Sequence, residues 1–233
     1  MHDHEFGTAL ARRHLLRGGL GLLVAGTWAG AAVAVAPPPG RKPAPPAGIG
    51  PRAPAAPVRP VRPPGPDDPI KVFAPDTWGY RLELPADWTV DTPAPYTVVL
   101  SGPQGSDAYF APVSVQNRRA PRPDNPAASA AAVLAAHREA LRARYPRLRV
   151  IRETLFRPPP GAADGGRADL PPGRQLVVDW PGEGGPVRRW AVARPRPRAA
   201  VVHLWTYTAE RRLFDAYLPI ARAILDGWRL LEP

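Results

Sequence analysis

Apolar and polar residues alternate along several stretches of the chain after Asp67, with the two-residue period of a half-buried β-strand. The clearest stretch is Gly79–Pro85, in which Tyr-Arg-Leu-Glu-Leu follows the glycine. Further strands are predicted over residues 96–100, 108–116, 148–156, 174–180, 187–194 and 199–208. Short turns at residues 182–185 and 195–197 join the last three strands, so the pattern predicts an antiparallel meander there.

Two stretches instead have apolar residues three and four positions apart, which is the period of an amphipathic helix. The first helix is predicted from Pro126 to Arg144 with Asn125 as its N-cap. The second is predicted from Arg211 to about Leu230, with a kink or break at Pro219. The apolar face of the first helix contains Ala130, Leu134, His137, Leu141 and Tyr145. Hairpins combined with two helices predict an α+β fold, an antiparallel β-sheet covered by helices.

Residues 1–36 lack both periods and have the order of an export signal, with a basic start and an uncharged stretch over residues 18–36. The spacing of a twin-arginine export motif is matched by Arg12, Arg13, Leu15, Leu16 and Arg17. The general secretory route is the alternative. Cleavage is predicted between Ala34 and Val35, after a small-x-small sequence. An uncleaved anchor is also open, because the run nears the roughly 20 residues that a membrane-spanning helix needs.

Residues 37–66 form a separate region in which 13 of the 30 residues are proline. Such a segment cannot bury enough apolar surface to fold, and its prolines lack the backbone donors that a ladder needs. It is therefore predicted to be a disordered, extended spacer. Residues 67–233 then remain as one folded α+β domain.

Composition removes several classes of function. The chain has no cysteine, which excludes disulfides, thiolate metal sites and cysteine nucleophiles. Its net charge is +11, but 29 of the 31 basic residues are arginine. This bias indicates the codon usage of a GC-rich genome rather than selection for polyanion binding, so we expect no nucleic-acid partner.

The order of the predicted elements, with Leu84-Pro85-Ala86-Asp87-Trp88 at the end of the first strand, resembles the PsbP-like superfamily. A final helix that ends in an aromatic residue, here Trp228, belongs to the same resemblance. The resemblance covers about residues 71–231 and implies an α/β/α sandwich. Because members of this superfamily are mostly binding or assembly factors, it implies such a role rather than catalysis. It carries over no metal ligand and no partner-binding residue.

Catalytic candidates are few. His137 and His203 are the histidines of the predicted domain, and each lies on an apolar face, which favours a structural role. If the two met in space, they would titrate near neutral pH. No serine lies in a Gly-x-Ser-x-Gly sequence, and no phosphate-binding glycine loop occurs. We therefore predict no catalytic residue, no metal and no cofactor, with a small hydrolase using His137 or His203 as an alternative.

The best binding candidate is a set of arginine and aromatic residues in the predicted meander: Arg188, Arg189, Trp190, Trp205 and Tyr207. Two interpretations remain open. In the first, the aromatic rings are buried under the helices while the arginines face water. In the second, the set forms an exposed face that binds an anionic envelope polymer, a lipid headgroup or a partner protein.

Together, these observations predict an exported, extracytoplasmic accessory protein of the cell envelope, a non-enzymatic binding or assembly module on a proline-rich spacer. A polyanion-binding protein with an arginine-rich face is a further alternative. The expected partner is an envelope protein or an anionic envelope polymer. Membrane contact is expected only through residues 18–36, and only if the signal is uncleaved.

Overall fold

The structure is a computed structural model that describes residues 61–62, 64–65, 67–165, 167 and 169–232. Its strands are β1 (Ile70–Phe73), β2 (Tyr80–Pro85), β3 (Thr89–Ala94), β4 (Thr97–Ser101), β5 (Val113–Arg119), β6 (Arg149–Phe156), β7 (Gly173–Gly182), β8 (Gly185–Pro195), β9 (Val201–Glu210) and β10 (Arg229–Leu230). Its helices are α1 (Pro126–Arg144) and α2 (Arg211–Asp226), and a 3₁₀ turn spans Asp107–Phe110. No helix in these ranges is long and apolar enough to cross a membrane.

Helix α1 has the bounds that the sequence predicts. Asn125 caps it, because its side-chain oxygen accepts a hydrogen bond from the backbone nitrogen of Ala128 at 3.0 Å. Pro126 occupies the first turn, where a missing N–H costs nothing. Helix α2 differs from the prediction in two ways. It continues through Pro219 without a break, because the apolar residues on both sides of the proline are buried, and it ends at Asp226 instead of about Leu230.

Seven strands form one antiparallel sheet in the order β3-β4-β5-β9-β8-β7-β6. The predicted meander is confirmed, because β7, β8 and β9 are neighbours joined in antiparallel register. Gly185 makes the turn between β7 and β8 with a φ of 140°, a conformation that glycine adopts readily and other residues rarely do. A second, three-stranded sheet has the order β1-β2-β10.

Side chains of the large sheet alternate between two cores, because successive residues of a strand point to opposite faces. Trp190 and Val192 of β8 pack with β2 and α2 on one face. Ala191 and Ala193 of the same strand pack against α1 on the other face. The domain is therefore an α+β sandwich with α1 on one side of the sheet and α2 with the small sheet on the other, as predicted.

Three short strands and one turn depart from the prediction. Strands β1, β3 and β10 carry no alternation that sequence reasoning recognised, and β3 is exposed along its whole length. The strand predicted over residues 108–116 is partly wrong. Its first residues form the 3₁₀ turn, closed by a hydrogen bond from the Ala111 nitrogen to the Ala108 carbonyl, and β5 begins only at Val113.

The ordered contacts of the domain begin before Asp67. The backbone nitrogen of Val61 donates to the carbonyl of Ala216 in α2 at 2.8 Å, and the Val61 side chain packs against the core. Arg62 pairs with Asp68 at 2.7 Å. The part of the predicted spacer that the structure describes thus lies against the domain.

Candidate functional site

Two neighbouring arginines of β8 point to opposite faces of the sheet. On the α2 face, Arg188 forms a two-point ion pair with Asp179, at 2.7 and 2.8 Å, and its guanidinium lies 5.6 Å from the ring centre of Phe214. On the α1 face, the Nε of Arg189 donates to the Thr208 hydroxyl at 2.7 Å. Arg189 forms no ion pair with any residue in the described part of the chain. The first arginine is neutralised and the second is not.

Arg189 lies at the floor of a cleft of about 660 Å³ that we call the Arg189 cleft. Three hydroxyl side chains also line it, namely Ser114, Thr206 and Thr208. The Ser114 and Thr206 hydroxyls are 2.8 Å apart and hydrogen-bonded across β5 and β9. Helix α1 packs on β7, β8 and β9, and none of its residues lines the Arg189 cleft.

Two aromatic residues of the 3₁₀ turn form the rim of the Arg189 cleft. Tyr109 is 42% exposed and Phe110 is 63% exposed, and their rings meet edge to face at 5.4 Å. Exposed aromatic rings next to an arginine are the residue types that dominate binding energy at protein interfaces. The cleft therefore combines a cationic, hydroxyl-lined floor with an apolar rim.

The Arg189 side chain is half-buried, so its charge is only partly solvated. Burial lowers the pKa of its guanidinium, Tyr145 opposes that shift and the positive charge of Arg144 adds to it, although an arginine remains cationic at any physiological pH. The guanidinium lies 5.6 Å from the ring centre of Trp180. The other charges of the cleft are Asp107, Glu210 and Arg212, and the last two pair with each other at 3.2 Å. The geometry suits one carboxylate or phosphate group at Arg189.

The aromatic residues of the predicted binding set are core residues. Trp190, Trp205 and Tyr207 are 3%, 0% and 0% exposed. Trp190 and Trp205 meet edge to face at 5.2 Å, and the Tyr207 hydroxyl donates to the Phe214 carbonyl at 2.9 Å. The interpretation with buried rings therefore describes them, and they are not available to a ligand. Of the five predicted residues, Arg189 alone lines the cleft.

The two histidines lie on opposite faces of the sheet, so the pair considered from the sequence does not form. His203 is hydrogen-bonded through Nδ1 to Asn117 at 2.7 Å and packs between Tyr80 and Trp228. Burial lowers its pKa to about 3. His137 faces the sheet from α1, where burial, followed by the charges of Arg189 and Arg118, lowers its pKa to about 4. Both imidazoles are neutral at neutral pH.

Sequence reasoning missed one buried ion pair and the aromatic rim. Asp164, between β6 and β7, accepts hydrogen bonds from Arg194 at 2.7 Å and from the Leu230 nitrogen at 2.8 Å. An arginine at the end of an apolar strand was the available signal for this pair. Tyr109 and Phe110 form the aromatic rim, but the sequence pattern placed them in the strand predicted over residues 108–116. Within the described ranges, no cluster of three or more histidine and acidic residues could hold a metal ion.

The predicted export motif of Arg12, Arg13, Leu15, Leu16 and Arg17 lies outside the described residues. The same is true of the cleavage position at Ala34 and Val35. Both stay predictions.

Comparison with solved structures shows the fold class. Cyanobacterial PsbP (CyanoP) from Synechocystis sp. matches with a TM-score of 0.51 and 12% identity, over 69% of this chain and 92% of that chain. The chain thus has a PsbP-like fold, and at this identity the likeness shows the fold alone. No family model and no curated protein sequence matches the chain.

Two further structures match with lower scores. The Ran-binding protein Mog1p of Saccharomyces cerevisiae has a TM-score of 0.46 and 7% identity, over 71% of this chain and 97% of that chain. A protein of unknown function from Pseudomonas aeruginosa, titled a putative regulator, has a TM-score of 0.44 and 16% identity, over 70% and 98%.

Proposed function

We propose that this chain is an exported, non-enzymatic binding or assembly module of the cell envelope. Its PsbP-like domain would be held on the proline-rich segment of residues 37–66 and bind its partner through the Arg189 cleft. The observation that carries the proposal is the Arg189 guanidinium, which is half-buried in the cleft and has no carboxylate partner in the described part of the chain.

An unpaired charge in a desolvated position costs folding free energy, because water no longer solvates it and no opposite charge replaces the water. Arg188, on the same strand, is by contrast neutralised by Asp179 at 2.7 Å. An incoming anionic group would offset the cost at Arg189. The site is thus suited to binding, and its hydroxyl floor supplies further hydrogen bonds to the same group.

The aromatic rim indicates what a partner presents beside its anionic group. Tyr109 and Phe110 are exposed rings that would bury apolar surface against an apolar side chain next to the anionic group. An envelope protein that presents an acidic residue beside an apolar residue fits both the Arg189 guanidinium and the aromatic rim. A simple inorganic anion would leave the rim unused.

The test places a photo-crosslinking amino acid at Phe110 in the host cell. We expect a discrete crosslinked adduct that disappears in the Arg189→Gln variant. The matched control is Arg152→Gln, which removes one charge from an exposed position on β6 and should leave the adduct unchanged. An adduct that survives Arg189→Gln would contradict the proposal, and so would the absence of any adduct.

The export part of the proposal has its own test, the N-terminal residue of the native protein in each cell fraction. A chain that begins near Val35 in an extracytoplasmic fraction would support export with cleavage. A chain that keeps residues 18–36 in the membrane fraction would support an anchor. A full-length chain in the cytosol would overturn export and leave the binding test unaffected.

A further inference from the structure

A second cleft lies on the same face of the sheet, and we call it the Arg118 cleft. It has a volume of about 330 Å³ and is lined by two arginines from the end of β5, Arg118 and Arg119, with apolar walls from α1 and from Leu204 of β9. His137 also lines it. No carboxylate lines this cleft, and neither arginine forms an ion pair with a residue in the ranges the structure describes.

The two clefts follow one another along β9. Leu204 lines the Arg118 cleft, and Thr206, the next residue on the same face, lines the Arg189 cleft. The sheet register places Arg118 opposite Val202 and Arg189 opposite Thr208. These two β9 positions are six residues apart, which corresponds to about 20 Å of extended chain. His137 responds to the charge of both arginines, which supports their closeness to the face that α1 covers.

We propose that the two clefts form a single two-point site for an extended acidic polypeptide segment. One carboxylate binds at Arg189 and a second, six positions away in the segment, binds at Arg118 and Arg119. The separation must be an even number of residues, because residues i and i+6 of an extended chain point to the same side. The aromatic rim favours a polypeptide over an anionic polymer without apolar groups, since only the former uses Tyr109 and Phe110. This inference rests on the proposed function of the Arg189 cleft and adds the form of its partner.

The experiment measures the affinity of the purified full-length chain for two fluorescent peptides of equal composition. One has glutamates at i and i+6 with serine, threonine and one leucine between them, and the other has them at i and i+5. Linking two subsites raises affinity well above that of either one. We therefore expect the i+6 peptide to bind at least about tenfold more tightly, at matched ionic strength.

Variants separate this inference from the proposed function. The double variant Arg118→Gln/Arg119→Gln should weaken binding of the i+6 peptide about tenfold, to the level of the i+5 peptide. The control, Arg149→Gln/Arg152→Gln, removes the same charge from exposed positions on the edge strand β6 and should have little effect. The side-chain NMR signals of His137 should shift with the i+6 peptide, while those of His203, on the opposite face, should not.

Each contrary outcome has a distinct meaning. If Arg189→Gln weakens binding but Arg118→Gln/Arg119→Gln acts like its control, the two-point site is wrong and the Arg189 cleft stands. If neither variant weakens peptide binding, the two-point site and the proposed binding role of the Arg189 cleft are both wrong. If a linear polyphosphate binds as tightly as the i+6 peptide and the spacing of glutamates has no effect, the surface is a general polyanion site and the polypeptide inference is overturned.

Discussion

Strand β8 carries a half-buried arginine and a buried one, and the two differ most in whether an acidic residue lies beside them. Arg194, near the end of the strand, is 4% exposed and donates to Asp164 at 2.7 Å and to the Trp228 carbonyl at 3.0 Å. Arg189, near the start, has the Thr208 hydroxyl and the Trp180 ring but no acidic partner in the described part of the chain. Burial lowers the pKa of both guanidinium groups. Burial of a charge is therefore a poor sign of function by itself, and the missing counter-charge is the informative difference.

Removing the counter-charge of Arg194 should have the largest effect. Asp164→Asn leaves a buried guanidinium without its carboxylate, so we expect the free energy of unfolding to fall by about 3–5 kcal/mol. Urea unfolding of the purified domain measures this. The control is Asp169→Asn in the same loop, which removes an exposed carboxylate paired with Arg167 at 2.7 Å and should change the free energy of unfolding little. Equal losses in the two variants would show that the buried Arg194–Asp164 pair stabilises the fold no more than an exposed pair does.

Replacing each arginine by methionine tests the comparison directly. Arg194→Met strands the Asp164 carboxylate and should also cost about 3–5 kcal/mol. Arg189→Met strands no charge, and the lost hydrogen bond to Thr208 is offset by the burial of an apolar chain, so we expect a change within about 1 kcal/mol. Thermal and urea unfolding check both. A loss at Arg189→Met as large as that at Arg194→Met would mean that Arg189 is structural.

The smallest expected effect is electrostatic and lies in the neighbouring histidines. Burial lowers the pKa of His137 to about 4, and the charge of Arg189 contributes to this shift. Arg189→Met should therefore raise the pKa of His137 while leaving it below the ordinary value of 6.5. The pKa of His203 is lowered by burial and by Arg196 and Arg194, so it should stay near 3. An NMR titration of both imidazoles measures this contrast, and equal movement of the two would contradict it.

The same shift sets the direction of the pH dependence of stability. The unfolded chain protonates His137 near pH 6.5, whereas the folded domain does so only near pH 4. The unfolded state thus binds more protons in this window, and stability falls as the pH falls through it. In Arg189→Met the difference between the folded and unfolded pKa of His137 is smaller. Urea unfolding at pH 7 and pH 5 should therefore show a smaller loss of stability on acidification than in the original chain.

The sequence contained the information for α1 and the meander because both have local signals. Asn125 and Pro126 mark a helix start, and alternation in residues 187–194 marks a strand with two buried faces. Strand β3 has no such signal, because it is exposed at every position and contains Pro93. Strand β10 is too short to have a period and forms only because β2 lies beside it.

The site was partly predictable for a related reason. The pair Arg188-Arg189 was recognised from the sequence, but its division into a paired and an unpaired arginine depends on Asp179 lying opposite Arg188 on β7. The Arg194–Asp164 pair joins residues 30 positions apart through a loop without regular structure. Tertiary contacts decide such pairings, and no local pattern contains them.

Strand β10, near the end of the domain, pairs with β2, a strand of the first hairpin. Arg229 pairs with Arg81, Leu230 pairs with Tyr80, and the Leu231 nitrogen donates to the Gly79 carbonyl at 2.9 Å. In the order of synthesis, β2 is made early but gains this neighbour only when the final strand has been made. The small sheet therefore reaches its three strands only after the last strand of the domain has been synthesised.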